Sequence, residues 1–431
     1  MKLVVFSHKP CWPCAASPTG YATDGGFPFQ MKVMSELFDE TRVLVPCYPQ
    51  GIATGEIALV GQNLHIVPLS PRHGAGMNSK LNFLPWLMRN SGTILRELRQ
   101  ADAVHTPIPG DVGTVGMLGA CFFRKPLLVR HCGNWLQPVT LAEKFWCWFM
   151  ETFAGGRNVM LATGGALEPP SRKNSNVQWI FSSSLTQNEL AGQARPRQHP
   201  PNGQLRLIHV ARQEKAKGAG TVIQSLPLLA RRFSGVSFEI VGEGFAILEF
   251  KKLAAGTGVT QRVSFTGKLN HNQVMQRLQN AHLFTFPTTS SDGFPKAVLE
   301  ALATGLPVVA TKVSVLPQLL SNGCGVLIDQ ATPDDVACAI ERALKNPAQY
   351  EAMSRKAIET ARQFSLEAWR DRIGEMLTKA WGPLKAEESR KPPSEVKKDS
   401  TGQGKQTAES RNAKGKAEIE TSEAKVESRN D

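Results

Sequence analysis

The stretch FTFPTTSSDGFPKAVLEALATGLPVVAT, residues 284–311, contains the pattern that decides the fold. An apolar strand ends at Pro287, a polar loop follows, and Pro295 stands where a helix can begin, because proline is well tolerated in the first helical turn. Gly305 ends the helix, and Pro307 leads into a second apolar strand. The stretch therefore predicts a strand–helix–strand unit with its loop at the carboxyl end of a strand, where α/β sheets bind ligands.

The start of this predicted helix has the properties of an anion site. The first amides, near Lys296, Ala297 and Val298, have no acceptor within a helix and lie at the positive end of its dipole. Asp292 and Glu300 are too far apart along the chain to act as a paired acid and base. They can accept hydrogen bonds from two groups of hydroxyls on one elongated ligand, or they can be a solvated loop carboxylate and an exposed helical one.

A second segment, HVARQEKAKG at residues 209–218, places two cations after another predicted strand. Arg212 can bind a phosphate through forked hydrogen bonds, and Lys217 can act as a point charge. The alternative is ordinary surface charge. Because both segments lie at the carboxyl edge of the same predicted sheet, their combination favours a diphosphate ligand.

The chain alternates apolar strands with helix-length segments, which predicts two doubly wound α/β domains with mostly parallel sheets. The first set of predicted strands covers residues 3–7, 43–47, 64–69, 103–106, 127–131, 159–163 and 177–181. The second covers 205–211, 237–241, 263–266, 283–287 and 308–311. We expect a first domain at 1–190, a linker at 191–203, a second domain at 204–363, a helix at 364–381 packing back on the first domain, and a disordered tail at 382–431.

Composition limits the classes of function. The chain has 431 residues, 41% hydrophobic, and 50 Lys and Arg against 37 Asp and Glu. This excess is spread along the chain, which suits phosphorylated ligands or an anionic membrane better than nucleic acid. The apolar run near the N-terminus, residues 3–6, is shorter than a signal peptide requires, and the longest apolar run, residues 112–123, is too short to span a membrane. Eight scattered cysteines are typical of reduced thiols, so we expect a cytoplasmic protein.

Two aromatic or cysteine motifs leave alternatives open. CWPC at residues 11–14 permits a redox or zinc site, but no second such pair supplies zinc ligands, so two ordinary loop thiols are favoured. FWCWF at 145–149 fits either core packing or peripheral membrane contact.

The chain has no Gly-x-Gly-x-x-Gly after a strand, no Walker A motif and no Asp-x-Asp, which disfavours dinucleotide enzymes, P-loop kinases and a metal-bridged diphosphate.

In combination these motifs resemble glycosyltransferase family 4, whose members are retaining enzymes of the GT-B fold. The resemblance rests on VARQEKAKG (210–218), VGEG (241–244), FTGKLNHNQV (265–274) and DGFPKAVLEALATGLPVVAT (292–311). It implies two Rossmann-like domains facing a cleft. Family members usually have glutamate at the position of Asp292, so the shorter side chain here departs from the pattern.

The resemblance also implies a role for each candidate residue. Arg212 and Lys217 would bind the donor diphosphate, and Asp292 and His131 would complete the catalytic site. Glu300 would bind the ribose. The transferred sugar and the phosphates would contact the remaining candidates, which are Gly25, Gly26, Gly293, Phe294, Pro295, Ala297 and Val298.

The resulting hypothesis is a hexosyltransferase-like enzyme that moves a sugar from a nucleoside-diphosphate sugar to an acceptor hydroxyl, without cofactor or metal. The acceptor is a glycan, a lipid-linked molecule or a small molecule. Two alternatives remain open at this point. One is an epimerase or phosphorylase of the same fold, and the other is a non-catalytic sugar-nucleotide-binding or scaffold protein.

Overall fold

The computed structural model describes residues 1–49, 57–71, 82–166, 168–201, 203–290 and 293–385. Two parallel sheets, each covered by helices, make up the two domains. Each predicted strand is present, with ends that differ by three residues or fewer. The predicted disordered tail at 382–431 falls outside the described residues from position 386 onward.

The first domain contains a seven-stranded parallel sheet in the order β10-β9-β8-β7-β1-β4-β6. A small three-stranded antiparallel sheet, β2-β3-β5, was not predicted because its strands are only two or three residues long. The strands of the domain are β1 (Lys2–Phe6), β2 (Trp12–Pro13), β3 (Tyr21–Thr23), β4 (Glu40–Pro46), β5 (Ile57–Ala58), β6 (Leu64–Leu69), β7 (Ala103–Ile108), β8 (Leu127–His131), β9 (Asn158–Thr163) and β10 (Val177–Ile180).

The second domain contains a six-stranded parallel sheet in the order β13-β12-β11-β14-β15-β16. Its last edge strand was missing from the sequence prediction. The strands are β11 (Gln204–Val210), β12 (Gly235–Val241), β13 (Val263–Gly267), β14 (Leu283–Phe286), β15 (Val308–Thr311) and β16 (Gly325–Ile328).

Helices cover both faces of the two sheets, as a doubly wound fold requires. In the first part of the chain they are α1 (Phe27–Ser35), α2 (Phe83–Gln100), α3 (Asp111–Phe122), α4 (Leu141–Phe153) and α5 (Gln187–Gln193). In the second part they are α6 (Ala219–Ala230), α7 (Ile247–Gly256), α8 (His271–Asn280), α9 (Lys296–Ala303), α10 (Leu316–Leu319), α11 (Pro333–Ala343), α12 (Pro347–Arg362) and α13 (Leu366–Trp381).

Two helix starts show why the chain folds locally in this way. The Thr332 hydroxyl accepts a hydrogen bond from the Asp335 amide at 3.1 Å, and Pro333 occupies the first helical position of α11. The Ser365 hydroxyl accepts from the Ala368 amide at 3.0 Å at the start of α13. Such caps satisfy amides that have no acceptor in the helix.

Helix α13 follows the second domain in the chain but packs in the core of the first. Leu366, Trp369, Ile373 and Leu377 are buried together with residues of β1 and β4. The Arg130 guanidinium lies 5.1 Å from the centre of the Trp369 ring. The two domains are therefore connected twice, through the segment before β11 and through this helix.

The cysteines differ from the expectation of reduced thiols. Cys11 and Cys47 form a disulfide, with Cα atoms 4.7 Å apart, whereas the described cysteines 14, 121, 132, 147, 324 and 338 are free. The two residues follow neighbouring strands β1 and β4 and form a parallel bridge. A separation of 36 residues along the chain concealed this proximity.

Candidate functional site

The two sheets each have a point where the chain reverses its winding direction. In the first sheet it lies between β1 and β7, and in the second between β11 and β14. Parallel sheets bind ligands in the crevice at the carboxyl ends of the strands beside such a point. The predicted motifs 209–218 and 284–311 follow β11 and β14, so they flank the crevice of the second sheet.

Three loops of the second domain are joined at this edge by hydrogen bonds. The Thr289 amide donates to the Ala216 carbonyl at 2.8 Å, and the Thr288 hydroxyl donates to the same carbonyl at 2.9 Å. The Gln213 amide donates to the Glu243 carbonyl at 2.8 Å. The loop after β11 is therefore fixed from both sides, by the loops after β12 and β14.

Gly218 shows how closely these loops approach one another. Its φ is +89°, a left-handed conformation that side chains rarely adopt, and an added Cβ would overlap the Pro287 carbonyl. Gly242, with φ +118°, meets the Ala211 carbonyl in the same manner. These glycines are required because backbone packs directly against backbone.

The two predicted diphosphate cations have different environments in the structure. The Arg212 side chain is 77% exposed and forms an ion pair with Glu214 at 3.1 Å. Lys217 is buried in the short 3₁₀ helix Lys215–Lys217. Burial lowers the Lys217 pKa, Glu214 raises it and Arg212 lowers it further. Lys217 is thus fixed in place, whereas Arg212 can reach toward a ligand only by leaving its carboxylate partner.

Residues 293–295 bring the second domain against the first. A Cβ on Gly293 would lie 3.1 Å from the Thr163 carbonyl at the end of β9. The Phe294 ring lies 6.2 Å from Phe181 and 5.6 Å from Phe364. The predicted site residue Asp292 lies outside the described residues.

The start of α9 differs from the prediction of three free amides. No side chain caps this terminus, and Pro295 is the N-cap residue. The Val298 amide, however, donates to the Pro295 carbonyl at 3.0 Å, and its side chain is buried. Because the chain turns tightly after Pro295, Val298 is removed as an anion ligand, and the Lys296 and Ala297 amides remain as candidates.

The predicted glycine pair of the first domain lies against this helix start. A Cβ on Gly26 would overlap the Lys296 ammonium group, and a Cβ on Gly25, whose φ is +69°, would lie 3.8 Å from Lys9 Nζ. Gly25 and Gly26 are therefore brought together with Lys296 across the domain boundary. The sequence pattern indicated the amide of Lys296 but gave no indication of a role for its side chain or for Lys9.

Glu300 lies on α9 and faces a histidine that had no assigned role. Its carboxylate is mostly buried and lies 3.5 Å from His271 Nδ1. Glu300 raises the pKa of His271 through this contact, against the opposing effect of burial. His271 belongs to the FTGKLNHNQV motif and fixes the orientation of the Glu300 side chain.

His131 ends β8 and is completely buried. Neither ring nitrogen has a hydrogen bond of good geometry in the described part of the chain, although a backbone contact with Gly133 opposes the lowering of the His131 pKa by burial. The ring lies 5.4 Å from Trp135 in an edge-on contact. Burial lowers the pKa of His131 to about 4. The imidazole is therefore neutral at neutral pH and retains one donor and one acceptor for a ligand.

A cavity of about 330 Å³ lies between the two domains. Its lining includes Gly26, Gly293 and Phe294 from the predicted site, and three cations, Lys9, Arg130 and Lys296. The sequence contained an indication for Arg130, because a charged residue within an apolar strand is usually buried with a partner or binds a ligand. Over the described residues, no three His, Cys, Asp or Glu side chains are grouped so that they could hold a metal ion.

Comparison with known proteins finds a family match that covers the second domain. The family model for glycosyl transferases, group 1, matches residues 192–362. A phosphatidylinositol N-acetylglucosaminyltransferase component from Arabidopsis thaliana is 27% identical over 145 residues, 34% of this chain and 32% of the relative. A GDP-mannose-dependent alpha-(1-6)-phosphatidylinositol monomannoside mannosyltransferase from Mycobacterium tuberculosis is 30% identical over 145 residues, 32% of this chain and 38% of the relative.

The match is therefore to a group 1 glycosyltransferase domain, and the chain spans about a third of the length of these curated relatives. A solved structure of Anabaena HepE in complex with UDP extends the likeness to the whole fold. It covers 88% of this chain and 100% of that chain, with a TM-score of 0.63 at 16% identity. The GT-B fold expected from the sequence is confirmed.

Proposed function

We propose that the protein is a retaining, metal-independent glycosyltransferase that moves a sugar from a nucleoside-diphosphate sugar to an acceptor hydroxyl. The observation that carries the proposal is the edge of the second sheet, where Lys217 is fixed beside the crevice and the uncapped start of α9 lies nearby. Cations and free amides at one edge suit a diphosphate. The family match to residues 192–362 supports the same assignment.

In this mechanism the second domain stabilises the leaving group. As the glycosidic bond breaks, negative charge grows on the diphosphate, and Lys217, Arg212 and the Lys296 and Ala297 amides stabilise it. Preorganised charges of this kind lower the barrier without reorganising during the reaction. Because these groups neutralise the charge themselves, no metal is needed in the proposed step.

The first domain and Glu300 position the donor in this proposal. Glu300, oriented by His271, accepts hydrogen bonds from the ribose hydroxyls, and Asp292 accepts them from the transferred sugar. The neutral His131 imidazole contacts a sugar hydroxyl. The donor phosphate removes the proton from the acceptor hydroxyl on the same face, which gives retention. The acceptor is a glycan, a lipid-linked molecule or a small molecule.

The test is a donor screen followed by a transfer assay. UDP, GDP and ADP are titrated in a thermal-shift experiment, because one solved neighbour binds UDP and one relative is GDP-mannose-dependent. The nucleotide that stabilises the protein identifies the donor series for transfer to varied acceptors. Products from donor alone would instead identify an epimerase, and phosphate-dependent products a phosphorylase. Donor binding without turnover would favour a scaffold protein.

We further propose that the first domain docks on an anionic membrane surface. None of the described helices is long and apolar enough to cross a bilayer. Three neighbouring helices, however, each expose apolar side chains. They are Leu84, Met88 and Leu95 on α2, Leu118 and Phe122 on α3, and Leu141, Phe145 and Trp148 on α4.

Helix α3 contacts both of the other two helices. Trp146 of α4 donates a hydrogen bond to the Thr114 hydroxyl of α3 at 2.9 Å. Gly119 of α3 packs against the Leu98 side chain of α2. Exposed cations border the apolar residues: Arg89, Arg96, Arg99, Arg124 and Lys144. Aromatic side chains at an apolar surface with a basic border suit the interface of an anionic bilayer.

Vesicle flotation tests this surface. The protein should bind vesicles of phosphatidylglycerol and phosphatidylcholine more strongly than vesicles of phosphatidylcholine alone. The double variant Phe122→Ser and Trp148→Ser should lose binding. Phe245→Ser with Leu248→Ser is the matched control, since both residues are exposed apolar side chains of the second domain. Dimerisation through this face in the absence of lipid would reject the membrane assignment.

A further inference from the structure

The cavity between the domains has an unusual charge composition. Lys9, Arg130 and Lys296 line its volume of about 330 Å³, and its described lining residues include no carboxylate. Cavities of this size accommodate small ligands or parts of larger ones. The cavity therefore carries excess positive charge at a place that can hold a ligand group.

Arg130 is the strongest indication that an anion belongs there. Its side chain lies on β8 and the residue is 3% exposed. The Nε atom is buried without a hydrogen-bond partner in the described part of the chain. Its guanidinium stacks over Trp369, a contact that supplies no acceptor for the Nε proton. Buried charges in proteins are normally paired and hydrogen-bonded, so this guanidinium is left with a donor for a ligand.

Lys296 faces the same cavity from the second domain. Its ammonium group packs against Gly26, and the described residues offer it no ion-pair partner within contact distance. Burial lowers its pKa, and Arg130 and Lys9 lower it further, whereas Glu300 raises it. Lys9 is already ion-paired with Asp24. Arg130 and Lys296 are thus two cations that face one cavity from opposite domains, with no carboxylate among its described lining residues.

We propose that this cavity binds an anionic group, a phosphate or a carboxylate, carried by the acceptor. The inference rests on the proposed transferase function. That function assigns the donor diphosphate to Lys217, Arg212 and the backbone amides of Lys296 and Ala297, and it gives no role to the Lys296 side chain. Arg130, in β8, and Lys9, in the loop after β1, belong to the first domain, and they remain unassigned once the donor is bound. A second set of cations implies a second anionic group.

The experiment measures anion binding without requiring turnover. Inorganic phosphate and, separately, acetate are titrated in a thermal-shift assay, with and without a saturating nucleoside diphosphate chosen from UDP, GDP and ADP. We expect one of the two anions to raise the Tm, and the rise to persist when the nucleotide is bound. Arg130→Gln and Lys296→Gln should each weaken this anion about tenfold, because each removes a charge-assisted hydrogen bond.

Lys252→Gln is the matched control, because this exposed lysine lies on α7 in the second domain, and it should leave anion binding unchanged. If Arg130→Gln does not fold, Lys296→Gln still tests the proposal. The proposal is overturned if neither anion stabilises the protein, if the nucleotide abolishes the effect, or if both variants bind the anion normally. Anion binding with no transfer of any sugar would contradict the proposed function and leave the anion site in place.

Discussion

The two sheets present their carboxyl ends to the same cleft in different ways. In the second domain, the edge is built by backbone: Gly218 packs against the Pro287 carbonyl, and Thr289 bonds to Ala216. In the first domain, the edge is built by side chains: Lys9, Arg130 and His131. Backbone contacts require particular residues at fixed spacing, whereas side-chain contacts can be supplied from many positions.

This difference explains why sequence comparison matches the two domains to known proteins with different success. The family match covers residues 192–362 and thus the second domain. The edge of the first domain, where we place the acceptor, has no comparable motif. A donor common to many transferases needs one backbone frame, whereas acceptors differ from enzyme to enzyme.

Trp369→Ala tests whether the two domains are separate structural units, and it should have the largest effect on stability. Trp369 is completely buried in the core of the first domain, although it follows the second domain in the chain. Removing a buried tryptophan should cost about 3–5 kcal/mol. Urea unfolding followed by circular dichroism should show this loss.

Trp148→Ala is the matched control, because Trp148 is exposed on α4, and it should change the stability by less than about 0.5 kcal/mol. Equal losses in the two variants would mean that α13 is not part of the core. A loss confined to the first of two unfolding transitions would show that the domains unfold independently.

Lys217→Ala tests the backbone-built edge. We expect kcat/KM for transfer to fall by about 100-fold or more, because a fixed charge at the leaving group is lost. Arg212→Ala should cost less, since Arg212 is exposed and shares Glu214 as a partner. The kcat/KM of each variant is measured with sugar donors of the nucleotide series found in the nucleotide screen.

Lys215→Ala is the control for this pair. Lys215 lies two residues away, is exposed and pairs with Glu249 at 2.9 Å. It should retain activity within about twofold, as a typical surface substitution does. Comparable losses at Lys215 and Lys217 would indicate a general effect of positive charge and reject the assignment of Lys217.

Gly218→Ala and Gly92→Ala compare a glycine that the backbone conformation requires with a glycine that it does not require. Gly218 combines a φ of +89° with overlap against Pro287, so alanine there should cost about 1–3 kcal/mol or more. Gly92 lies inside α2 with open space around it, so alanine should stabilise the helix by about 0.5–1 kcal/mol. Thermal unfolding measures both. Two changes of the same sign would contradict the structure at one of these positions.

The sequence predicted most of the sheet framework, for physical reasons visible in particular strands. The strands Leu64–Leu69, Leu127–His131 and Val308–Thr311 match their predictions to the residue, since polar residues, glycine or proline bound each apolar run. Gly325–Ile328 was missed because a four-residue edge strand has little pattern. The expectation of reduced thiols was wrong for Cys11 and Cys47, since the proximity of these two cysteines depends on strand order.

The candidate site was predictable only in part. Gly218 and Pro295 each belong to a motif within a single loop, so the neighbouring sequence is enough to indicate them. The contact of Lys296 with Gly26 crosses between domains, and nothing near either residue in the sequence indicates it. The expectation of a free Val298 amide was wrong, because this amide already donates to the Pro295 carbonyl. The roles of Arg212, His131 and Glu300 stay predictions until the variants are measured.

The pH dependence of stability should show that both domains bury neutral histidines. Burial lowers the pKa of His105 to about 3 and of His131 to about 4 in the first domain. It lowers the pKa of His209 and His282 to about 4 in the second. An unfolded histidine has a pKa near 6.5, so between about pH 6.5 and 4 the unfolded chain binds more protons. Stability must therefore fall as the pH falls through this range.

The change of Tm with pH in single variants shows which histidines cause this loss of stability. Each histidine contributes at most about 1.4 kcal/mol per pH unit, so His131→Asn and His209→Asn should each flatten the fall of Tm between about pH 6.5 and 4. Exposed His65→Asn is the control and should leave the slope unchanged. His271 acts in the opposite sense: its pKa is raised by Glu300, so its contribution is complete below about pH 6.5 and is lost as the pH rises through its folded pKa. A slope that is unaffected by His131→Asn but flattened by His209→Asn would mean that His131 is hydrated, and its proposed contact with the sugar would then lose its physical basis.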